Sequence, residues 1–164
     1  MAGAQLAIGN STKVGIGGVV LYNEYGYRFT KLLEALAQLG FFHSVFFAAP
    51  PSSRYFFSYS ALLASANLNA IVPLGEKGYL RAGGGLTYRH ANETYGLGDR
   101  GVVNGQVLDD LFASHTYRTF GYNVSMAGGV ALSSKVDLGG AFNTYNFVRF
   151  GEILSLGVNA NYWF

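Results

Sequence analysis

Three histidines and the serines near them are the residues of this 164-residue chain that could carry nucleophilic chemistry. Acyl transfer by serine needs an imidazole within hydrogen-bond reach to take the hydroxyl proton. The candidates are His43 beside Ser44, His90, and His115 beside Ser114 with Asp109 and Asp110 upstream. Adjacent residues of an extended strand point to opposite faces, so His43 and Ser44 form no dyad while extended. Ser114-His115 falls in an expected loop, where a dyad stays open. Loop polarity is the favoured account of these residues, and no catalytic residue is assigned. Three scattered histidines without a carboxylate pattern do not make a metal site, and Gly15-x-Gly17 and Gly83-Gly84-Gly85 lack the strand, turn and helix of a phosphate loop. No cofactor and no metal are expected.

A second constellation is electrostatic: Glu24, Arg28, Glu34, Arg81, Arg89 and Asp137, in a chain of which only 12% is charged. Buried charges must be paired or hydrated, so their meaning depends on the elements that carry them. Half the residues are hydrophobic, and 23 glycines, 12 tyrosines and 13 phenylalanines disfavour helices and favour strands. The length suits one domain over residues 1–164. A net charge of +2 without any basic run argues against nucleic acid as a partner. The absence of cysteine excludes disulfides and Cys-based zinc sites. Met1-Ala2-Gly3-Ala4 lacks the basic segment and apolar run of a signal peptide, so none is expected within the chain as it stands.

The stretch from Tyr55 to Gly75 is free of charge but is punctured by Ser58, Ser60, Ser65, Asn67 and Asn69, which excludes a transmembrane helix. Its period is two, with a slip expected near Leu62-Leu63, where the phase of the polar residues changes. From Thr119 to Leu132 the alternation is cleaner: Phe120, Tyr122, Val124, Met126, Val130 and Leu132 are apolar and their neighbours small or polar. Leu154 to Phe164 repeats it. Turn signals divide the chain into eight strands: Ala4–Asn10, Val14–Phe29, Leu33–Val45, Tyr55–Val72, Tyr79–Tyr95, Thr116–Leu132, Val136–Phe147 and Ile153–Phe164. Over the third, Leu32, Leu33, Leu36 and Leu39 also fit one helical face, with Thr30 placed to cap it and Gly40 to stop it. A short helix is expected at Gln106–Phe112, in the loop 96–115, because Val107, Leu108, Leu111 and Phe112 share a helical face.

Short connections alternate with longer ones, and several strands reach the roughly 9–11 residues that cross a bilayer at a tilt. A soluble barrel turns its apolar face inward, whereas a transmembrane barrel gives that face to lipid and keeps small and polar residues for its lumen. The small-polar face here is rich in Gly, Ser, Asn and Thr, as a narrow eight-stranded interior requires. Tyr25, Tyr27, Phe29, Tyr79, Tyr162, Trp163 and Phe164 lie near strand ends, where interfacial girdles need aromatic rings. The expected fold is an all-β, eight-stranded antiparallel transmembrane β-barrel with up-and-down meander topology.

The chain resembles the small eight-stranded outer-membrane barrels of Gram-negative bacteria, the OmpA-like and OmpX-like proteins. The ending Asn159-Ala160-Asn161-Tyr162-Trp163-Phe164 carries the sharpest match, and Val72-Pro73-Leu74-Gly75 through Glu76-Lys77-Gly78 into Tyr79-Leu80-Arg81-Ala82-Gly83-Gly84-Gly85 carries the second. The short first strand departs from the family. The resemblance implies a bacterial outer-membrane location among outer-membrane lipids. It implies that Tyr162, Trp163 and Phe164 form a C-terminal signal for the outer-membrane assembly machinery. Some barrels of that membrane deacylate or acylate lipid A, but the deacylases carry His and Ser two apart on one strand, and no His-x-Ser occurs here.

Strand parity places Glu24, Arg28, Glu34, Arg81, Arg89 and Asp137 inward as a lumen charge network, with Arg28 across from Glu34. It is read as structural filling in preference to a gate for small ions. The expected function is a structural, adhesive or narrow-pore outer-membrane barrel, with an extracellular partner reached through the 96–115 loop. The alternatives are a lipid A-modifying deacylase or acyltransferase and a soluble ligand-binding barrel.

Overall fold

The computed structural model describes residues 2–10, 15–48, 57–96, 101–103, 106–108, 112–148 and 151–162. The strands are β1 (Ala2–Asn10), β2 (Gly15–Arg28), β3 (Leu33–Ala48), β4 (Phe57–Leu74), β5 (Gly78–Gly96), β6 (Gly101–Val103), β7 (Gln106–Leu108), β8 (Phe112–Ala131), β9 (Val136–Phe147) and β10 (Glu152–Tyr162). Eight of them close a barrel in the order β1-β10-β9-β8-β5-β4-β3-β2, and every neighbouring pair is antiparallel. Closure leaves the barrel wall without an open edge, the condition for a sheet in hydrocarbon. β1 is short, yet it pairs with both β2 and β10 and completes the ring.

The barrel strands fall on the eight spans read from the sequence, with the largest displacement at β8, which starts at Phe112 instead of Thr116. The third span is a strand and not the competing helix, and Gln106–Leu108, where a short helix is expected, is extended. Leu33 and Leu39 face outward, and Glu34, Leu36 and Gln38 are buried inside, so the period in β3 is two. Only as a strand can Glu34 and Gln38 both reach partners in the lumen. Thr30, the would-be helix cap, instead accepts a bond from the Leu32 amide at 3.1 Å in a turn where the Phe29 amide donates to the Leu33 carbonyl at 3.0 Å. In the 96–115 loop, Gly101–Val103 pairs with Gln106–Leu108 as a small hairpin, and Phe112 opens β8. Asp109, Asp110 and Leu111 lie outside the described residues.

The connections 29–32, 75–77 and 132–135 share one end of the barrel with the start of β1 and the end of β10. Gly75 turns the second of these with φ 66, a left-handed conformation that favours glycine. The β2–β3 register shifts between Gly17 and Gly18, and a Cβ on Gly18 would lie 2.1 Å from the His43 carbonyl oxygen.

From the turn end upward the outer face is apolar on strand after strand. It runs from Leu33 to Phe41 on β3, Val72 to Leu62 on β4, Leu80 to Tyr88 on β5 and Val130 to Phe120 on β8. Each run then meets a polar residue: His43, Ser60, His90 and Arg118 respectively. Exposed Tyr25, Tyr27 and Phe29 cluster at the turn end of β2, and Tyr27 meets Phe29 edge to face at 5.2 Å. An apolar belt bounded by aromatic rings is the exterior of a transmembrane barrel. Tyr79 is not part of the girdle, because it has the inward parity and reaches into the lumen.

No slip occurs at Leu62-Leu63. β4 keeps unbroken register with β3 from Ala70 to Ser60 and with β5 from Leu74 to Phe57. What changes there is the environment. Ser65, Asn67 and Asn69 are buried inside below that point, and Tyr59, Ala61 and Leu63 are buried inside above it.

Candidate functional site

The lower lumen is organised by Arg81 on β5. Its guanidinium reaches the Glu24 carboxylate on β2 at 3.0 Å through one terminal nitrogen and the Glu34 carboxylate on β3 at 3.2 Å through the other. All three side chains are buried, with exposures of 5%, 5% and 1%. The forked, permanently charged guanidinium suits such a double clamp, and the two carboxylates compensate its desolvation. Hydrogen bonds extend the cluster across the lumen. Tyr145 on β9 donates to Gln38 at 2.9 Å, and Gln38 donates to Glu24 at 2.9 Å. Asn69 on β4 donates to Glu34 at 3.1 Å and accepts from Ser125 on β8 at 3.4 Å. A second knot centres on Gln5, which accepts from Ser155 at 2.6 Å and from Asn143 at 3.0 Å.

Of the six predicted charges, Glu24, Glu34 and Arg81 make the clamp and Arg28 borders it through Glu34. Arg28 stands directly across from Glu34, as the strand parity requires, but its side chain is 44% exposed at the barrel mouth and 3.8 Å from the carboxylate. Asp137 accepts from the Tyr79 hydroxyl at 3.4 Å. Arg89 sits higher, with its guanidinium 4.0 Å above the Phe147 ring and Tyr59, Tyr117 and Glu93 around it. Parity alone gives the inward face but not the height, because the shear of the sheet offsets equal sequence positions on different strands. The uncharged partners Tyr145, Asn69, Ser125 and Tyr79 escape a reading that follows charge alone. Strand parity turns them inward too, but their cross-lumen pairings join residues far apart in the chain and leave no local trace.

Above the clamp an apolar cluster shares the lumen with the buried Arg89 and Glu93. Val20, Phe42, Tyr59, Ala61, Leu63, Ala91, Phe147 and Ile153 pack as one buried cluster, with Phe42 and Tyr59 edge to face at 5.6 Å. Tyr22 and Tyr145 join both zones: their rings belong to the apolar cluster, and their hydroxyls meet Gln5 and Gln38.

The histidines do not meet the serines beside them. Ser44 faces inward and both donates to the Tyr59 carbonyl and accepts from the Tyr59 amide at 2.9 Å, while His43 faces outward and stacks on Phe41. Ser114 and His115 lie within β8, so extended geometry separates them as well. Tyr162 is exposed at the end of β10; Trp163 and Phe164 lie outside the described residues.

No family model and no curated protein matches the chain. Solved structures do. Neisserial surface protein A is similar with a TM-score of 0.66 at 20% identity, over 99% of this chain and 94% of that one. A major outer membrane protein from Thermus thermophilus matches with a TM-score of 0.65 at 12% identity, over 99% of each chain. Ail, the attachment invasion locus protein of Yersinia pestis, matches with a TM-score of 0.60 at 10% identity, over 98% of this chain and 93% of that one. The chain therefore has the fold of the small eight-stranded outer-membrane barrels.

Proposed function

We propose that this protein is a bacterial outer-membrane barrel with a closed lumen, serving adhesion or recognition at its extracellular end instead of conduction. The Arg81 clamp carries this reading: charge pairs and hydrogen bonds bridge β2, β3, β4, β5, β8 and β9 across the interior. An apolar cluster stands in series above it. Ions would have to break a buried double salt bridge and then pass the packed cluster around Arg89, both of which oppose passage. Recognition then belongs to the extracellular end, where the β6–β7 hairpin is inserted between β5 and β8 of the barrel wall. The resemblance in fold to an attachment protein and to a surface protein supports the same role. Outer-membrane lipids, the assembly machinery acting on the Tyr162-Trp163-Phe164 ending, and an extracellular ligand of the 96–115 loop are the partners that this reading requires.

Planar-bilayer recordings test it. Wild-type protein inserted from detergent should show no conductance steps; resolved, reproducible steps would overturn the closed-lumen reading and favour a narrow pore.

A further inference from the structure

We propose that the outer face of the barrel across β2, β3, β4, β5 and β8 holds one phosphorylated lipid of the outer leaflet, with an acyl chain in a groove and its phosphorylated headgroup spread along His43, His90 and Arg118. The inference rests on the membrane-barrel reading above. A groove of about 410 Å³ opens on this face, walled by Leu21, Leu39, Phe41 and Leu62, with Asn23 beside them. All five side chains point away from the lumen.

The upper end of the groove is polar and basic. His43 stacks flat on Phe41, with centroids 6.4 Å apart and planes 6° apart, so the ring that walls the groove also carries the first donor. Ser60 is His43's direct partner across β3 and β4; His90 is the direct partner of Leu62 across β4 and β5; and Arg118 is the direct partner of His90 across β5 and β8. Direct cross-strand partners on one face stand roughly 5 Å apart, so His90 and Arg118 can share one phosphate, and the row from His43 on β3 to Arg118 on β8 is about 15 Å wide, a span for a whole headgroup. Asn92, fixed by a 2.8 Å hydrogen bond from Thr116, extends the same row. Among the described residues no carboxylate pairs with Arg118.

These residues sit where the outer belt changes from apolar to polar, the depth of a lipid headgroup. A phosphate ester supplies oxygen acceptors for the guanidinium fork and the imidazole N–H groups, and its acyl chains match the groove beneath. Neither feature alone selects this ligand: the groove by itself fits any alkyl chain, and the basic row by itself fits any anion.

The test is native mass spectrometry of detergent-refolded protein titrated with lipid A carrying both phosphates and with its dephosphorylated form. The phosphorylated form should bind about tenfold more tightly, the difference of a charge-assisted hydrogen bond or two. His90→Gln with Arg118→Gln should abolish that preference and leave binding of the dephosphorylated form unchanged, whereas Arg118→Lys should keep most of it. Leu39→Trp, which fills the groove, should weaken both forms. Equal binding of the two forms by wild type, or a preference that survives the double substitution, would overturn the proposal. Displacement of the lipid by millimolar inorganic phosphate would reassign the row to free anions and overturn it too. Each variant is first checked for a mobility change between unboiled and boiled samples in SDS. Loss of that change in wild type would contradict the membrane barrel itself, a separate failure from loss of lipid preference.

Discussion

Along β4, Ser65, Asn67 and Asn69 face the lumen while Ala66, Leu68 and Ala70 face outward; higher on the same strand, Tyr59, Ala61 and Leu63 face the lumen while Ser58 and Ser60 face outward. The backbone does nothing different in the two stretches, since the ladder to β3 and β5 is continuous. The surroundings differ. In the lower half lipid takes the apolar side chains, and the interior is free to hold a double salt bridge. In the upper half the outer face turns polar, and the interior packs an apolar cluster around the buried Arg89. The first half derives its specificity from a few directional bonds to Arg81, the second from the fit of Phe42, Leu63, Phe147 and their neighbours.

The contrast predicts different responses to substitution. Arg81→Ala should have the largest effect, about 3–5 kcal/mol of unfolding free energy in lipid vesicles, because it strands two buried carboxylates. Arg81→Lys should rescue little, since one ammonium cannot reproduce the fork to Glu24 and Glu34. Adding Glu24→Gln and Glu34→Gln to Arg81→Ala should restore much of the loss. If each variant simply adds its own cost, the three do not act as a cluster. In the upper half Leu63→Ala should cost about 3 kcal/mol through the cavity it leaves, and Leu63→Met under about 1.5 kcal/mol. A third comparison sharpens the boundary on the outer face. Leu68→Arg should cost about 2 kcal/mol and Ser60→Arg under about 1 kcal/mol, because a lipid-facing charge is expensive in the hydrocarbon and cheap at its edge. The smallest effect belongs to Arg28→Gln, below about 1 kcal/mol, since that pair is long and half exposed at the mouth. A loss matching that of Arg81 would place Arg28 inside the clamp.

The strands were legible because alternation and turn residues are local properties of the chain. The facing of Glu24 and Glu34 was legible for the same reason, and so was the pairing of Arg28 with Glu34, which a short turn dictates. The heights of Arg89 and Asp137 were not, because they depend on how far each strand is staggered around the closed ring. The leucines at 32, 33, 36 and 39 imitate a helical face when strand alternation overlaps that spacing, and only the lumen partners of Glu34 and Gln38 decide between the two. The phase change at Leu62-Leu63 was visible but ambiguous, since a register slip and an inversion of surroundings leave the same trace in a sequence.

That ambiguity is where the account is most exposed, and the absence of cysteine allows single thiols to be placed without background. Ser60→Cys, Leu63→Cys and Leu68→Cys, each refolded into vesicles, should separate into three classes. The thiol at 60 should react with a membrane-impermeant maleimide. The thiol at 63 should stay unreactive toward it and, labelled before refolding with a small fluorophore, escape quenching by nitroxide lipids. The thiol at 68, labelled likewise, should be quenched. Quenching at 63 together with protection at 60 would mean that the strand slips and that the apolar cluster faces lipid, which would contradict an upper lumen packed with that cluster.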